Sequence, residues 1–237
     1  MMRIAAIGDI HLGADSSGEL RPALLDIGEH ADVLLVAGDL TRHGTLAEAR
    51  VVAGELADLD VPVIGVLGNH DYHSDQQNRI LQLLNDAGLI MLEGNSTTVN
   101  IDGTTLGVAG VKGFGGGFAG ACASMFGERQ MKDFVGHTVE IADQLRKALA
   151  TLTTDVTVVL THYAPTSDTL AGEPPEIFAF LGSYLLGEPI DEIGADLALH
   201  GHAHAGTEHG ETAGGIPVRN VAAPVVKSAY AVYELNN

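Results

Sequence analysis

Residues 63–71 read Val-Ile-Gly-Val-Leu-Gly-Asn-His-Asp, an apolar run that leads directly into an amide, an imidazole and a carboxylate. The run has the length and the branched side chains of a buried strand. Ligand sites in α/β sheets form at the carboxyl ends of the strands. The stretch therefore predicts that Asn69, His70 and Asp71 lie at such an edge and belong to a site.

Four other short blocks rich in Asp and His follow apolar runs in the same way. They are Asp9-Ile10-His11, Gly38-Asp39, Thr161-His162 and Gly201-His202-Ala203-His204. In an extended backbone, residues two apart point to the same side, so Asp9 and His11 are expected to reach one ion. Carboxylate oxygens and imidazoles brought together suit divalent transition metals. The blocks predict a metal site, in which the carboxylate of Asp39 can bridge two ions.

Hydrophobic periodicity predicts the secondary structure around these blocks. We expect strands near residues 3–8, 33–37, 62–67, 97–101, 104–110, 156–161, 196–200, 216–221 and 229–235, and helices near 20–30, 45–59, 76–87, 133–152 and 175–186. The first half alternates strand and helix, which is typical of parallel crossover units, whereas later segments favour hairpins. The expected α/β fold is a single domain over residues 1–237, with two mixed sheets packed face to face and helices outside.

Composition limits the classes of protein and partner. A chain of 237 residues, 46% of them hydrophobic, fits one large domain. Its single cysteine, Cys122, excludes an internal disulfide and agrees with a reducing compartment. No signal peptide or long apolar segment is apparent, so we expect a cytoplasmic protein without a membrane partner. The net charge of −19 repels phosphate backbones, so long nucleic acid is not an expected partner.

The five blocks, in this order, resemble the signature of the calcineurin-like metallophosphoesterase superfamily: Asp-x-His, Gly-Asp, Gly-Asn-His-Asp/Glu, a lone His and Gly-His-x-His. The resemblance implies a four-layer α/β/β/α sandwich that binds two metal ions. It implies that Asp9, His11, Asp39 and His204 hold one ion, and that Asp39, Asn69, His162 and His202 hold the other. It also places His70 over the phosphate as a proton donor or charge stabiliser.

The function predicted from this resemblance is a dinuclear hydrolase of phosphate esters, in which a hydroxide bridging the metals attacks phosphorus. His70 would stabilise the transition state or protonate the leaving alkoxide. Asp71 would orient His70, or would instead serve in a turn or helix cap. Manganese, iron, zinc and cobalt all remain candidates, because Asp, Asn and His ligands accept each of them.

Residues 38–44 and 66–71 are most similar to the cyclic-nucleotide and glycerophosphodiester phosphodiesterase branch. This similarity favours a small phosphodiester as substrate and suggests a homodimer. A phosphomonoesterase or nucleotide pyrophosphatase using the same site is one alternative. A non-catalytic scaffold is another, although such a protein would be expected to have lost a ligand position, and none is missing here.

The segment 112–120 reads Lys-Gly-Phe-Gly-Gly-Gly-Phe-Ala-Gly and formally contains a G-x-G-x-x-G motif. Its position between hairpin-like segments argues against a dinucleotide-binding fold. Two interpretations remain. The segment is either a mobile loop over the active site, with Phe114 or Phe118 stacking on a base, or an ordinary surface loop.

Overall fold

A five-stranded sheet carries the first three Asp- and His-containing blocks. In the computed structural model, which describes residues 1–236, its strands lie in the order β13-β1-β2-β3-β4. These are β1 (Met2–Ile7), β2 (Val33–Ala37), β3 (Val63–Val66), β4 (Ile90–Leu92) and β13 (Ala231–Leu235). Strands β1 to β4 are parallel, and β13 is antiparallel to β1. The crossovers that parallel neighbours require contain α1 (Ile27–His30), α2 (Leu46–Leu56) and α3 (Gln77–Asp86).

A six-stranded mixed sheet carries the last two blocks, in the order β11-β12-β10-β9-β6-β5. Its strands are β5 (Asn95–Ile101), β6 (Thr104–Val111), β9 (Val156–Thr161), β10 (Leu197–His200), β11 (His209–Glu211) and β12 (Pro217–Asn220). Strands β5 and β6 form the predicted hairpin through Asp102 and Gly103. The remaining elements are β7 (Gly117–Phe118), β8 (Ala121–Cys122), α4 (Arg129–Ala150), α5 (Phe178–Leu181), α6 (Tyr184–Ile193) and α7 (Ala223–Val226).

Alternating side chains of the strands divide the core into layers. In β2, Val33, Leu35 and Ala37 pack against residues of the second sheet, whereas Leu34 and Val36 pack with α2 and α3. Both sets are fully buried, as the period of two in a strand requires when each face is covered. The outer face of the second sheet is covered in the same way by α4 and α6. This arrangement confirms the predicted four-layer α/β/β/α sandwich.

Helix α4 is 22 residues long and has one buried stripe at helical spacing. The stripe consists of Val135, Thr138, Ile141, Ala142, Leu145, Ala148 and Leu149, and most of the remaining positions face solvent. The helix is thus built to cover a sheet. None of the helices in the described part of the chain is both long and apolar enough to cross a membrane.

The structure differs from the predicted elements in two helices and in several short elements that were not predicted, among them β7, β8 and α7. Strands β4 and β11 were not predicted, because three residues are too few to show a period. The helix predicted at 20–30 is a 3₁₀ turn, Arg21–Ala23, followed by the single turn of α1. The helix predicted at 175–186 is interrupted at Gly182, which forms a β-bridge with Ala164. Any Cβ at Gly182 would overlap the carbonyl oxygen of Ala164, so this bridge requires a glycine.

Candidate metal centre

The five blocks meet at one edge of the molecule, because the loops that carry them bind one another through the backbone. The amide of Asp9 donates to the carbonyl of Gly38 at 2.9 Å, and the amide of His11 donates to that of Asp39 at 3.0 Å. The amide of Gly201 donates to the carbonyl of His162 at 3.1 Å, which joins the loops after β9 and β10. The carboxyl ends of five strands therefore present their side chains to a common space, as predicted.

The backbone at this edge is strained. Asp9, His11, Asp39 and His202 all have left-handed conformations, with φ of 57°, 43°, 52° and 69°. Such conformations are uncommon for residues other than glycine and cost on the order of 1–3 kcal/mol each. The argument that an extended backbone brings Asp9 and His11 together is therefore wrong, although the two side chains do meet. The curled loops turn the ligands inward instead.

Glycines make the close approach of these loops possible. A Cβ at Gly38 would lie within 2.7 Å of the ring of His162, and Gly38 itself has a φ of +81°. A Cβ at Gly68 would overlap Oδ1 of Asp39, and one at Gly201 would overlap Oδ2 of Asp9. The glycine that precedes each polar residue is thus part of the site, since a larger residue would displace a predicted ligand.

The first predicted ligand set comes together as expected. The ligand atoms of Asp9, His11 and His204 lie within 4.8 Å of one another. Nε2 of His204 is 2.7 Å from Oδ1 of Asp9, and Nε2 of His11 is 3.7 Å from Oδ2 of Asp39. Asp9, His11 and His204 thus form one group, with Asp39 beside His11, and the group is open on the solvent side, where His11 and His204 are partly exposed.

The second predicted set lies on the other side of Asp39. The ligand atoms of Asp39, His162 and His202 also lie within 4.8 Å of one another. Nε2 of His162 is 3.4 Å from Oδ1 of Asp39 and 2.9 Å from Oδ1 of Asn69. The two oxygens of Asp39 therefore face different histidines, Oδ2 toward His11 and Oδ1 toward His162, which is the geometry of a bridging carboxylate.

Backbone carbonyls select the nitrogen that each ring offers to this centre. Nδ1 of His162 is 2.9 Å from the carbonyl oxygen of Ala37, and Nε2 of His202 is 3.1 Å from that of Phe180. A carbonyl only accepts, so these ring nitrogens donate and the opposite nitrogens carry lone pairs. Carbonyl oxygens are common outer partners of metal-binding histidines. These oxygens give no signal in the sequence, and the prediction missed them.

The donor set fits metal ions. The lone pair on Nε2 of His162 faces the oxygens of Asn69 and Asp39, so three acceptors meet with no hydrogen between them unless a proton or cation is present. Asp39 is only 1% exposed, and the ion pairs of Asp9 and Asp39 recorded among residues 1–236 are with histidines alone. Buried carboxylates require positive partners, and mixed oxygen and imidazole ligands suit transition metals.

The protonation of the centre agrees with a role in metal binding. Burial lowers the pKa of His202 to about 3, so this ring is neutral near pH 7 and can act as a ligand. Burial alone would raise the pKa of Asp9, but the hydrogen bond from His204 and the charge of that ring hold it below its usual range. Asp9 is therefore ionised, with Oδ2 accepting the amide hydrogen of His202 at 2.8 Å.

His70 lies over this centre on the solvent side. Its ring is half-exposed, 4.5 Å from the ring of His11, and its Nε2 is 4.0 Å from Oδ2 of Asp39. Its Nδ1 donates to the carbonyl oxygen of Arg42 at 2.9 Å, which leaves Nε2 facing the centre. A substrate that binds from solvent would meet this nitrogen.

Asp71 does not orient His70 directly, so that prediction is wrong, and the alternative of a structural role in the turn describes the structure. Its fully buried carboxylate accepts hydrogen bonds from the amides of Gly68 (2.8 Å), Leu40 (3.2 Å) and Thr41 (2.8 Å), and from the Thr41 hydroxyl (2.6 Å). Burial raises the pKa of Asp71 to about 6, while the bonds from Gly68 and Thr41 oppose this shift. Asp71 joins the loop of Asp39 to the loop of Asn69.

The glycine-rich segment is neither a loop over the centre nor an ordinary surface loop. Residues 112 to 118 are buried except Phe114, which is half-buried. The carbonyl of Gly115 accepts a hydrogen bond from the Thr138 hydroxyl, and the ring of Phe114 packs against Phe134 and Tyr163. The glycines allow close packing against α4 and α5, which the sequence motif alone does not reveal.

Comparisons with known proteins agree with this geometry. The family model of calcineurin-like phosphoesterases matches residues 2–206. The phosphopantetheinyl hydrolase of Mycobacterium tuberculosis has a similar structure, with 15% identity, 98% of this chain and 96% of that chain covered, and a TM-score of 0.71. The protein TT1561 of Thermus thermophilus is 18% identical, with 92% and 88% covered and a TM-score of 0.55. No curated protein sequence matches significantly. The two structural likenesses show the fold, and the family match, which includes all five blocks, shows that the chain belongs to the calcineurin-like phosphoesterases.

Proposed function

We propose that this phosphoesterase is a phosphodiesterase that depends on two metal ions. The observation that carries the proposal is the position of Asp39, whose two oxygens face two separate groups of histidines. One ion would be held by Asp9, His11, Asp39 and His204, and the other by Asp39, Asn69, His162 and His202. Manganese, iron, zinc or cobalt at such positions supplies an activated water and offsets the charge of a phosphate.

The charge around the centre favours a diester over a monoester. Arg42 is 3.5 Å from Asp15, and Nζ of Lys112 donates to the carbonyl of Gly113 at 3.1 Å under three aromatic rings. The buried Lys112 is thus not free to bind a phosphate dianion, which leaves the exposed Arg42, whose carbonyl holds His70, as the basic side chain beside the centre. A diester has one negative charge fewer than a fully ionised monoester, so it is repelled less by a chain of net charge −19. The same charge argues for a small substrate rather than long nucleic acid.

His70 is the proposed proton donor to the leaving alkoxide. Its Nδ1 donates to the carbonyl of Arg42, so Nε2 is the nitrogen that faces the substrate, and the imidazolium form of the ring would give the Nε2 proton to the alkoxide. General acid catalysis typically contributes about 10²–10⁴-fold, and it matters most when the leaving group is a poor one. An alkoxide therefore needs the proton of His70, whereas p-nitrophenoxide leaves without it.

The leaving group tests both parts of the proposal. In the manganese-loaded protein, we expect bis(p-nitrophenyl) phosphate to be hydrolysed faster than p-nitrophenyl phosphate, and a chelator to abolish both activities. His70→Gln should reduce kcat for a dialkyl phosphate by about 10²–10⁴-fold and should reduce it much less for the nitrophenyl diester. His30→Gln, at an exposed histidine of α1, is the matched control.

Three results would decide against the proposal. A faster reaction with the monoester would favour a phosphomonoesterase. An equal loss with both leaving groups in His70→Gln would exclude proton donation by this histidine. Less than one equivalent of bound metal per chain, with neither ester hydrolysed, would favour the non-catalytic scaffold.

A further inference from the structure

An apolar groove lies beside the metal centre and takes no part in the chemistry described so far. Its walls are the β7–β8 hairpin, the first turns of α4 and residues 175–180, and its cavity has a volume of about 640 Å³. Ala121, Met131, Phe134, Ala179 and Phe180 contribute apolar surface. This volume and lining are typical of a pocket for a small organic ligand.

The groove adjoins the metal centre at Phe180. The carbonyl of Phe180 accepts the hydrogen bond from Nε2 of His202, so one residue both lines the groove and orients a predicted ligand. Packed aromatic rings form the wall between the two places, with Tyr163 4.4 Å from His202, Phe114 5.8 Å from Tyr163 and Phe134 5.1 Å from Phe114. Phe180, in contrast, is exposed and touches both places. One ester group of a phosphodiester bound at the centre would reach the groove past Phe180.

The surface of the groove selects against charge. Its charged side chains are Glu128 and Glu176, both acidic, and no basic side chain lines it in the described part of the chain. Large apolar side chains on its walls face solvent, with Phe180 59% exposed and Met131 37% exposed. Exposed apolar patches of this kind commonly mark binding sites. A nucleotide or other anion would be repelled here, whereas an uncharged apolar group would be favoured.

From this geometry we infer that the groove binds an uncharged, apolar ester group of the phosphodiester substrate while the phosphate occupies the metal centre. The inference rests on the proposed function and names its substrate class, a small diester with at least one alkyl or similarly apolar alcohol. Two observations favour this occupant over a second copy of the chain or a membrane. The groove is concave and adjoins the centre at Phe180, and its two glutamates would repel an anionic lipid surface.

The first experiment compares p-nitrophenyl hexyl phosphate with p-nitrophenyl methyl phosphate in the manganese-loaded protein. Burying one CH₂ group completely changes affinity about fourfold, so five partly buried groups should lower KM for the hexyl ester at least about tenfold. Met131→Glu, which places a charge in the groove, should remove this preference for the hexyl ester. Met131→Leu, which keeps an apolar side chain, should retain most of the preference. Val139→Glu makes a comparable change at an exposed position of α4 outside the groove and should leave the preference intact.

The second experiment detects binding without turnover. Cys122 lines the groove, is exposed and is the single cysteine of the chain, so N-ethylmaleimide labels this wall alone. Dihexyl phosphate should slow the labelling of Cys122 at concentrations where dimethyl phosphate does not. The rate is followed by mass spectrometry of the intact protein.

The outcomes separate this inference from the proposed function. If both nitrophenyl esters are hydrolysed with equal KM, and dihexyl phosphate gives no protection, the inference is overturned while the function stands. The same holds if the hexyl preference survives Met131→Glu, or if protection depends on protein concentration, which would indicate a second copy. If neither ester is hydrolysed, the proposed function fails, and protection of Cys122 alone decides whether the groove binds apolar esters.

Discussion

Thr41→Val removes one buried hydroxyl and almost nothing else, so it tests the structural role assigned to Asp71. The Thr41 hydroxyl donates to Oδ1 of Asp71 at 2.6 Å and accepts from the amide of Gly44 at 3.1 Å. Valine has the same shape, but it can neither donate nor accept. If Asp71 joins the loops that carry Asp39 and Asn69, loss of this bond should weaken the whole edge.

The magnitude follows from the two bonds. A hydrogen bond to a charged group contributes about 1.5–3 kcal/mol, and a buried amide without an acceptor costs about 1–3 kcal/mol. The extra methyl group offsets part of this loss, so we expect the free energy of unfolding to fall by about 2–4 kcal/mol. For a domain of this size each kcal/mol corresponds to about 2–4 °C in Tm, so the expected decrease is roughly 4–16 °C.

The assay is thermal unfolding followed by circular dichroism in excess chelator, because bound metal would add its own stabilisation. Thr41→Ser keeps the hydroxyl, so its Tm should fall by less than half as much as that of Thr41→Val. Manganese affinity measured by calorimetry should fall in Thr41→Val more than in Thr41→Ser. A Tm for Thr41→Val within 1 °C of wild type, or equal to that of Thr41→Ser, would refute the structural role of Asp71.

Two further substitutions test the loop contacts. Burial alone would raise the pKa of Glu55. Hydrogen bonds from the amides of Arg21, Gly18 and Leu20 outweigh this effect and hold the pKa below its usual range. Their stabilisation is present above the usual glutamate pKa of about 4.3 and is lost as the pH falls through the lowered value. Urea unfolding between pH 3 and 6 should therefore bring wild type toward Glu55→Gln at low pH, and a constant difference would contradict this. Gly68→Ala should weaken manganese binding at least about tenfold, because its Cβ would overlap Oδ1 of Asp39. Gly54→Ala, at an exposed helical position where an added Cβ meets nothing within 4 Å, should leave manganese binding unchanged. Equal manganese affinities of Gly68→Ala and Gly54→Ala would contradict the role of Gly68.

The fold was predictable where strands are long and covered on both faces. Strand β2 is an example, since its continuous apolar run matches its burial on both sides. Strand β4 was missed because its three residues are placed by pairing with β3, a contact that local sequence does not encode. The interruption at Gly182 was missed for the same reason, because Gly182 pairs with Ala164, 18 positions away in the chain.

The members of the candidate site were predictable, but their roles were less so. Each predicted ligand lies where a strand ends, which is why the blocks could be read from residue types and spacing. The left-handed backbone of Asp9 and His11 could not be predicted from the sequence, because it is fixed by hydrogen bonds to the loop after β2. The role of Asp71 was ambiguous for a similar reason. Its partners are backbone amides of Leu40 and Gly68, which any residue would supply.

The number of manganese ions bound to wild type and to Asp39→Asn tests the bridging role of Asp39 most directly. Equilibrium dialysis followed by metal analysis should give two ions per chain for wild type. Asp39→Asn should lose both ions together, whereas Asp86→Asn, the same change at an exposed position, should keep two. Retention of either ion at wild-type affinity in Asp39→Asn would contradict a centre in which this carboxylate joins two metals.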